Sequence, residues 1–191
     1  MKNRINIGFA IILLIACKQK TETKSPEVKL SIAEKIANAH GFENWKYVDE
    51  INFTFAGKRR WIWQPKTNAV TFIQDTIKVQ YNRACIDSTV AKIDPAFIND
   101  KFWLLIPFQL VWDTSATISE ATKSKAPISK IEMNKLTLLY PSEGGYTLGD
   151  AYDIYFKDDY IIKEWVFRKG NADTASLTNT CLLYTSDAAD D

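Results

Sequence analysis

AFINDKFWLLIPFQLVWD, residues 96–113, is the most apolar stretch of the chain after its amino-terminal segment. Asp94 and Pro95 precede it, and this pair is typical of a helix N-cap followed by proline at the first helical position. We therefore predict a helix over residues 95–105 that ends before Pro107 and is followed by a strand. Asp100 and Lys101 lie in the middle of this helix, where a bilayer core accepts charge poorly. The stretch is thus predicted to pack inside a folded domain rather than to cross a membrane.

The sequence before this stretch predicts one short helix and four strands. Ser31 and Glu34 have the spacing of a capping box, and His40-Gly41 has the pattern of a helix end, so a helix is expected over residues 32–40. Apolar residues then alternate with polar ones in residues 45–55, 58–65, 69–73 and 76–82, separated by short turns. This pattern, in which Trp45 and Tyr47 already belong to the first strand, indicates an antiparallel meander.

Three more strands are expected after the apolar stretch, over residues 134–141, 151–156 and 161–170, with a turn at Asp158-Asp159. Residues 114–129 are polar and are interpreted as a loop or a frayed hairpin. The fold class is therefore α+β, mainly β: one domain over residues 29–180, with a curved antiparallel sheet whose concave face packs against the helices at 32–40 and 95–105.

The amino terminus has the plan of a bacterial secretory signal. Lys2 and Arg4 precede an apolar run that is too short to span a bilayer, and Leu14-Ile15-Ala16-Cys17 resembles a lipobox. Residues 1–16 are predicted to be a lipoprotein signal peptide, Cys17 the lipidated residue, and residues 17–28 a polar tether. The alternative is an ordinary cleaved signal with a chance cysteine. Lys18 replaces the aspartate that retains inner-membrane lipoproteins, so an outer-membrane anchor facing the periplasm is expected.

Residues 181–191, CLLYTSDAADD, continue none of the preceding patterns. Their back-translation is similar to the end of a transposase-type sequencing adapter, so we interpret them as an assembly artefact that truncates the natural chain. A genuine acidic tail is the alternative. Under the first interpretation Cys85 is the single remaining thiol beside Cys17, and no disulfide framework is predicted.

Composition argues against several kinds of site. The chain has 24 basic and 23 acidic residues, a net charge of +1, which gives no support for nucleic acid as a partner. His40 is the only histidine, so a histidine-rich metal site is not expected; its role is either functional or that of a polar helix cap. Asp100 is a second candidate polar functional residue, and with Asp150 it leaves a carboxylate-dependent hydrolase open. No cofactor or metal is predicted.

Six tryptophans in one small domain are the most unusual feature of the composition. Such residues either fill a core or line an apolar ligand cavity. The candidate lining residues are Trp61, Trp63, Phe97, Phe102, Trp103, Leu105 and Trp112.

Several segments resemble an uncharacterised family of lipoproteins and secreted proteins from Bacteroidota-type bacteria. They are Ala39-His40-Gly41 with Trp45, Trp61-Ile62-Trp63-Gln64-Pro65, residues 97–107, and Gly144-Gly145-Tyr146-Thr147 with Asp150 and Tyr152. The order of helix, strand meander and helix lid is also similar to lipoprotein-localisation carriers of the LolA and LolB kind. That likeness implies a half-open barrel that holds acyl chains under its helices. The combined expectation is a non-enzymatic binder or carrier of lipid or another apolar ligand in the cell envelope. A structural or protein-interaction domain with a filled core is the alternative.

Overall fold

The computed structural model describes residues 29–143 and 147–180. Its helices are α1 (Ile32–Ala39), α2 (Asp94–Leu104) and α3 (Ile106–Trp112), with short 3-10 helices at Phe42–Tyr47, Val90–Lys92 and Lys169–Asn171. The strands are β1 (Ile51–Phe55), β2 (Arg59–Gln64), β3 (Ala69–Gln74), β4 (Ile77–Asn82), β5 (Thr117–Ile118), β6 (Thr122–Lys125), β7 (Glu132–Leu139), β8 (Ala151–Phe156), β9 (Ile162–Arg168) and β10 (Leu177–Thr180). All strand pairs are antiparallel, which confirms the prediction of a mainly β, α+β fold.

Helix α1 begins at the predicted capping box. The Ser31 hydroxyl accepts the Glu34 N–H at 3.2 Å, while the Glu34 carboxylate accepts the Ser31 N–H at 2.7 Å. These bonds satisfy amide groups that have no partner inside the first helical turn. The helix ends where His40 leaves helical geometry and Gly41 takes φ +83°, a conformation that favours glycine.

Strands β1 to β4 form sheet 1 in sequence order, as the meander predicts. The prediction that Trp45 and Tyr47 belong to the first strand is wrong, because both lie in the 3-10 helix that follows Gly41. The strand begins only at Ile51. Alternation places Ile77 on the same face as Val79 and Tyr81, but Ile77 is 55% exposed, since it lies at the hairpin end of edge strand β4.

Sheet 2 contains the remaining strands in the order β10-β9-β8-β7-β5, with β6 also paired to β7. The three predicted strands are β7, β8 and β9. The segment 114–129 supplies β5 and β6, which pair with β7 and not with each other, so it is neither the loop nor the frayed hairpin that was predicted. The described strands thus form two sheets and not the single curved sheet that was expected. The likeness to a half-open carrier barrel stays a prediction.

The apolar stretch folds into two consecutive helices. The expected strand after Pro107 is wrong, because residues 106–112 form α3. α2 ends before Pro107, as predicted, and Pro107 lies in the first turn of α3, where an amide has no intrahelical partner, so a second helix can begin at Ile106. Asp94 is likewise not the N-cap: Ile93 holds that position, and the Asp94 carboxylate turns toward sheet 1.

The three α-helices lie between the two sheets and are here named the helix layer. Of the three core clusters of the described residues, one joins the helix layer to sheet 1, a second joins it to sheet 2, and a third lies within sheet 2 and the loop after β6. Phe97 belongs to the sheet 1 cluster and Phe102 to the sheet 2 cluster, although both lie on α2. This position between two apolar surfaces explains why the apolar residues of α2 and α3 occupy more than one face of each helix and do not form a single stripe.

Candidate functional site: the helix layer and its cleft

The seven candidate lining residues all lie in or against the helix layer. Trp61, Phe97 and Phe102 are at most 2% exposed, and Trp63 and Leu105 are also buried. Trp103 and Trp112 are partly buried and pack against the two core clusters. The apolar pattern thus brings the predicted residues together in one region.

Aromatic rings fill the space between α2 and sheet 1. The ring centroid of Phe97 lies 5.4 Å from that of Trp61 and 5.6 Å from that of Trp63, both in edge-to-face geometry. Phe72 of β3 lies 4.7 Å from Trp61 on the other side. Such edge-to-face contacts add to the stabilisation from burial and fix the ring positions.

A second aromatic group surrounds a buried cation at the edge of this space. The ammonium of Lys101, only 5% exposed, lies 5.7 Å from the centroid of the Trp63 ring and 5.9 Å from that of Trp112. Trp45 packs against Trp112 at 4.7 Å and against Phe108 at 5.7 Å. Cation–π attraction therefore helps to hold a lysine inside the domain.

Asp100 is fully buried and is surrounded by donors. Arg59 of β2 binds it in a fork, with Nε and one terminal nitrogen each 2.7 Å from a carboxylate oxygen. Trp61 Nε1 donates to it at 2.9 Å and Asn99 Nδ2 at 3.1 Å. The hydrogen bonds with Asp100 raise the pKa of the Arg59 guanidinium above its ordinary value. The geometry matches that of a structural ion pair, since each carboxylate oxygen accepts two hydrogen bonds.

Asp94 repeats this arrangement at the other end of α2. Arg83, just after β4, donates to the two Asp94 carboxylate oxygens at 2.8 and 3.2 Å, and the Tyr81 hydroxyl donates at 3.0 Å. Burial, with the Asp94 charge adding to it, raises the pKa of Tyr81. Two arginine–aspartate pairs therefore attach α2 to sheet 1.

His40 joins the end of α1 to sheet 2. Its Nδ1 lies 2.8 Å from the Ile36 carbonyl oxygen, and its Nε2 lies 3.3 Å from the backbone nitrogen of Ile162. Burial lowers the pKa of His40, and the nearby charge of Lys163 lowers it further, although the Ile36 hydrogen bond and Asp159 oppose this shift. The ring thus serves at least as the polar helix cap that the sequence left open.

A narrow cleft opens between α2 and β8. It has a volume of about 80 Å³ and is lined by Pro95, Ile98, Asn99, Phe102, Thr147 and Tyr152. Burial raises the pKa of the Tyr152 hydroxyl to about 12, so this group stays a neutral hydrogen-bonding partner at physiological pH. Of the seven candidate lining residues, Phe102 lines this cleft. Ligand pockets for drug-sized molecules are typically about 300–1,000 Å³, so the cleft admits only the end of a chain or a small group.

Two larger depressions lie on the outer surface of the sheets. One, of about 390 Å³, is lined by Lys123, Glu132, Met133, Asn134, Lys157, Asp158 and Asp159. The other, of about 380 Å³, lies on sheet 1 and is lined by Ile62, Gln64, Ala69, Val70, Thr71, Gln80 and Tyr81. None of the candidate lining residues borders either depression.

Cys17, the predicted signal peptide at residues 1–16 and residues 181–191 lie outside the described residues, as do Gly144-Gly145-Tyr146 of the resemblance. Within residues 29–143 and 147–180, no group of three or more His, Cys, Asp or Glu could hold a metal ion. In the same part of the chain, no helix has the length and apolar character needed to cross a membrane. Cys85 is exposed.

The two arginine–aspartate pairs are the features of this region that sequence reasoning missed. Asp94 matched a helix-cap pattern and Arg59 lay in the run Lys58-Arg59-Arg60, which reads as an exposed hairpin edge. Alternation offers one signal for Arg59, because it lies two residues before buried Trp61 and so shares its face. No local signal identifies Arg83.

Comparisons with protein-family models, curated proteins and solved structures gave no match for this chain. The resemblances described from the sequence therefore stay predictions, and the functional argument depends on the geometry of the domain itself.

Proposed function

We propose that this protein is a lipid-anchored component of the bacterial cell envelope whose folded domain binds another envelope macromolecule and catalyses no reaction. The observation that carries this proposal is the filled helix layer. Trp61, Phe97 and Asp100 have no exposed surface, and their neighbours pack against them at contact distance. An interior occupied by the chain's own side chains leaves recognition to the outer surface.

The carboxylates that suit hydrolysis are engaged in structural bonds, which supports binding over catalysis. Asp100 is saturated by Arg59, Trp61 and Asn99. Asp150 accepts the backbone N–H of Gly170 at 2.6 Å. A general acid in a glycosidase needs a raised pKa and access to substrate, and fully buried Asp100 has no such access.

The envelope location follows from the lipobox-like sequence at Leu14-Ile15-Ala16-Cys17. Lipid attachment there would hold the protein on a membrane. The proposed location is the periplasmic face of the outer membrane. Metabolic labelling with an alkyne fatty acid tests this step. We expect label on the wild-type chain and on Cys85→Ser, and none on Cys17→Ser; equal labelling of the two variants would remove the anchor from the proposal.

Binding of an apolar ligand is the second candidate function, favoured by the cleft between α2 and β8. Ile98, Phe102 and Tyr152 line it together with polar Asn99 and Thr147. Its volume of about 80 Å³ suits the tip of an acyl chain or a small apolar group. Carriage of a whole acyl chain requires the helix layer to open further.

Photo-crosslinking in living cells, combined with native mass spectrometry, separates the two candidates. A photoreactive residue is placed in turn at the exposed apolar positions Tyr47, Ile77, Ile131 and Leu148, which lie on different parts of the surface. A discrete protein adduct from one position, abolished by a charged substitution beside it, supports the interaction domain. Absence of adducts from all four positions contradicts it.

The same cells provide the test of ligand binding. The full chain is purified in mild detergent and examined for a co-purifying lipid. Ile98→Trp fills the cleft, and Ile77→Trp is the matched control on the exposed end of β4. A lipid that is lost with Ile98→Trp and kept with Ile77→Trp supports the apolar-ligand function. A clean apo mass for wild type rejects it.

A further inference from the structure

His40 is placed to respond to protons because both of its ring nitrogens contact backbone groups of fixed polarity. The Ile36 carbonyl can only accept, so Nδ1 carries the hydrogen; the Ile162 N–H can only donate, so Nε2 is the acceptor. This is one neutral tautomer. A second proton must go to Nε2, where it would face the Ile162 N–H and remove that hydrogen bond.

The contact joins two parts of the chain that are far apart in sequence. His40 ends α1, and Ile162 is the fully buried first residue of β9, in the core between the helix layer and sheet 2. Ala33 and Ile36 of α1 belong to the same core cluster. Lys35 adds a weaker link, since its ammonium lies 3.5 Å from the Tyr160 hydroxyl. Loss of the His40 bond therefore weakens the attachment of α1 to sheet 2.

Charged groups near the His40 ring raise or lower its pKa. Lys163 of β9 disfavours the imidazolium, and Asp159 of the turn before β9 favours it. On α1 itself the charged residues are Glu34 and Lys35, at least one helical turn away. Burial of the ring opposes protonation as well.

We propose that His40 is an acid-sensitive latch: neutral His40 holds α1 against β9, and its protonation releases α1. α1 is the first element of the described residues, and the predicted tether to Cys17 precedes it in sequence. Release of α1 would expose the apolar face formed by Ala33 and Ile36, and would add its eight residues to the tether. An extended chain spans about 3.3–3.6 Å per residue, so the tether would lengthen by up to roughly 30 Å.

The sign of the effect follows from proton linkage. The folded state has the lower pKa, so the open state binds the additional proton between that value and the ordinary histidine value of about 6.5. The latch is fully closed above about pH 6.5 and weakens as pH falls through this window. One linked proton allows a change of at most about tenfold in the opening equilibrium per pH unit.

Hydrogen exchange of the full chain in detergent, from pH 5 to pH 8 and corrected for intrinsic exchange, measures this opening. We expect protection of the α1 amides and of the Ile162 amide to fall as pH is lowered below about 6.5, while the sheet 1 amides stay constant. His40→Gln, which cannot titrate, should give pH-independent protection in α1. Equal pH dependence in this variant would overturn the latch.

A pair of charge variants keeps the test decisive if His40→Gln fails to fold. Lys163→Gln should raise the pKa of His40 in the closed state and so reduce the loss of α1 protection at low pH, whereas Asp159→Asn should lower that pKa and increase the loss. Since the chain has one histidine, its imidazole proton signals report the midpoint of its protonation without ambiguity in NMR. The proposal is rejected if NMR shows that His40 becomes protonated while the protection of the α1 amides is unchanged. It is also rejected if the two variants change that protection in the same direction.

Discussion

Sheet 1 holds α2 through two arginine–aspartate pairs, whereas sheet 2 meets α2 and α3 across apolar side chains. On the sheet 1 side, Asp94 and Asp100 of α2 are gripped by Arg83 and Arg59. On the sheet 2 side, the contacts of α2 and α3 are those of Phe102, Ile106 and Leu110 with the cluster. Sheet 2 has its own pair, Asp153–Arg168, but Asp153 alternates with Tyr152 and Ile154 and so lies on the opposite face.

The difference assigns two roles to the two interfaces. Hydrogen-bonded ion pairs are directional, so they fix where α2 sits on sheet 1, yet their net contribution to stability is small because both charges lose water. Apolar burial has no direction and supplies most of the stabilisation. Removal of one partner of a pair and removal of one apolar side chain should therefore destabilise by different mechanisms.

Asp100→Ala should have the largest effect. It leaves the Arg59 charge and the fully buried Trp61 N–H without their acceptor, and breaking a buried pair in this way costs about 4 kcal/mol. Denaturant unfolding measures the loss. Asp158→Ala is the matched control, because that carboxylate is 88% exposed in its pair with Lys123. Equal midpoints for the two variants would show that the buried pair does not anchor α2.

Leu138→Ala tests the apolar interface with a slightly smaller expected loss. Leu138 of β7 is fully buried in the sheet 2 cluster. A leucine-to-alanine change in a core destabilises by about 3 kcal/mol through lost burial and a residual cavity. The loss should be independent of salt. A cost below about 1 kcal/mol in urea unfolding would mean that sheet 2 contributes less than its packing indicates.

Gln109→Met tests a polar side chain that is buried inside the apolar helix layer. Gln109 is fully buried on α3, and none of the described residues bonds to its amide oxygen or nitrogen. An unsatisfied buried polar group costs about 1–3 kcal/mol, so methionine of similar volume should raise the free energy of unfolding by about 1 kcal/mol. Gln80→Met on the exposed face of sheet 1 is the control. A destabilised Gln109→Met would reveal a polar partner, such as a buried water.

Lys66→Ala should have the smallest effect. The Lys66–Asp49 pair is 2.6 Å long, but its side chains are 53% and 83% exposed. Exposed pairs contribute little because water screens the attraction and ordering two side chains costs entropy. Thermal unfolding should show no measurable change. A clear drop in Tm would extend the role of ion pairs from the buried interface of sheet 1 to its surface.

Sequence patterns predicted the elements whose signals are local. The capping box at Ser31 and Glu34 defined α1, and alternation defined most strands of both sheets. The error at Trp45 and Tyr47 arose because alternation continued through a 3-10 helix. The error after Pro107 arose because a proline in a first turn was taken as a stop, although a buried helix can restart there.

The partition into two sheets was beyond the reach of local patterns. Each strand pair is visible in alternation, but the side of the helix layer on which it lies depends on contacts between distant segments. The spread of apolar residues over more than one face of α2 and α3 was the available signal, since each such face needs a surface to pack against. For the candidate site, the predicted aromatic residues lie in or against the helix layer, and their role as a ligand lining stays a prediction; the arginine partners of Asp94 and Asp100 were missed.

The central position of the helix layer also sets the order in which the growing chain can bury its core. Residues 51–82 of sheet 1 are synthesised before residues 94–112, so the inner faces of Trp61 and Trp63 stay wet until α2 and α3 have followed. Sheet 1 and these helices can then close on each other, and α1 can join them through Ala37, whereas Ala33 and Ile36 stay uncovered on the other side until β7, β8 and β9 are complete. We expect the side of the helix layer that faces sheet 2 to be the last apolar surface of the domain to be covered, which leaves it open to chaperones while the chain is made.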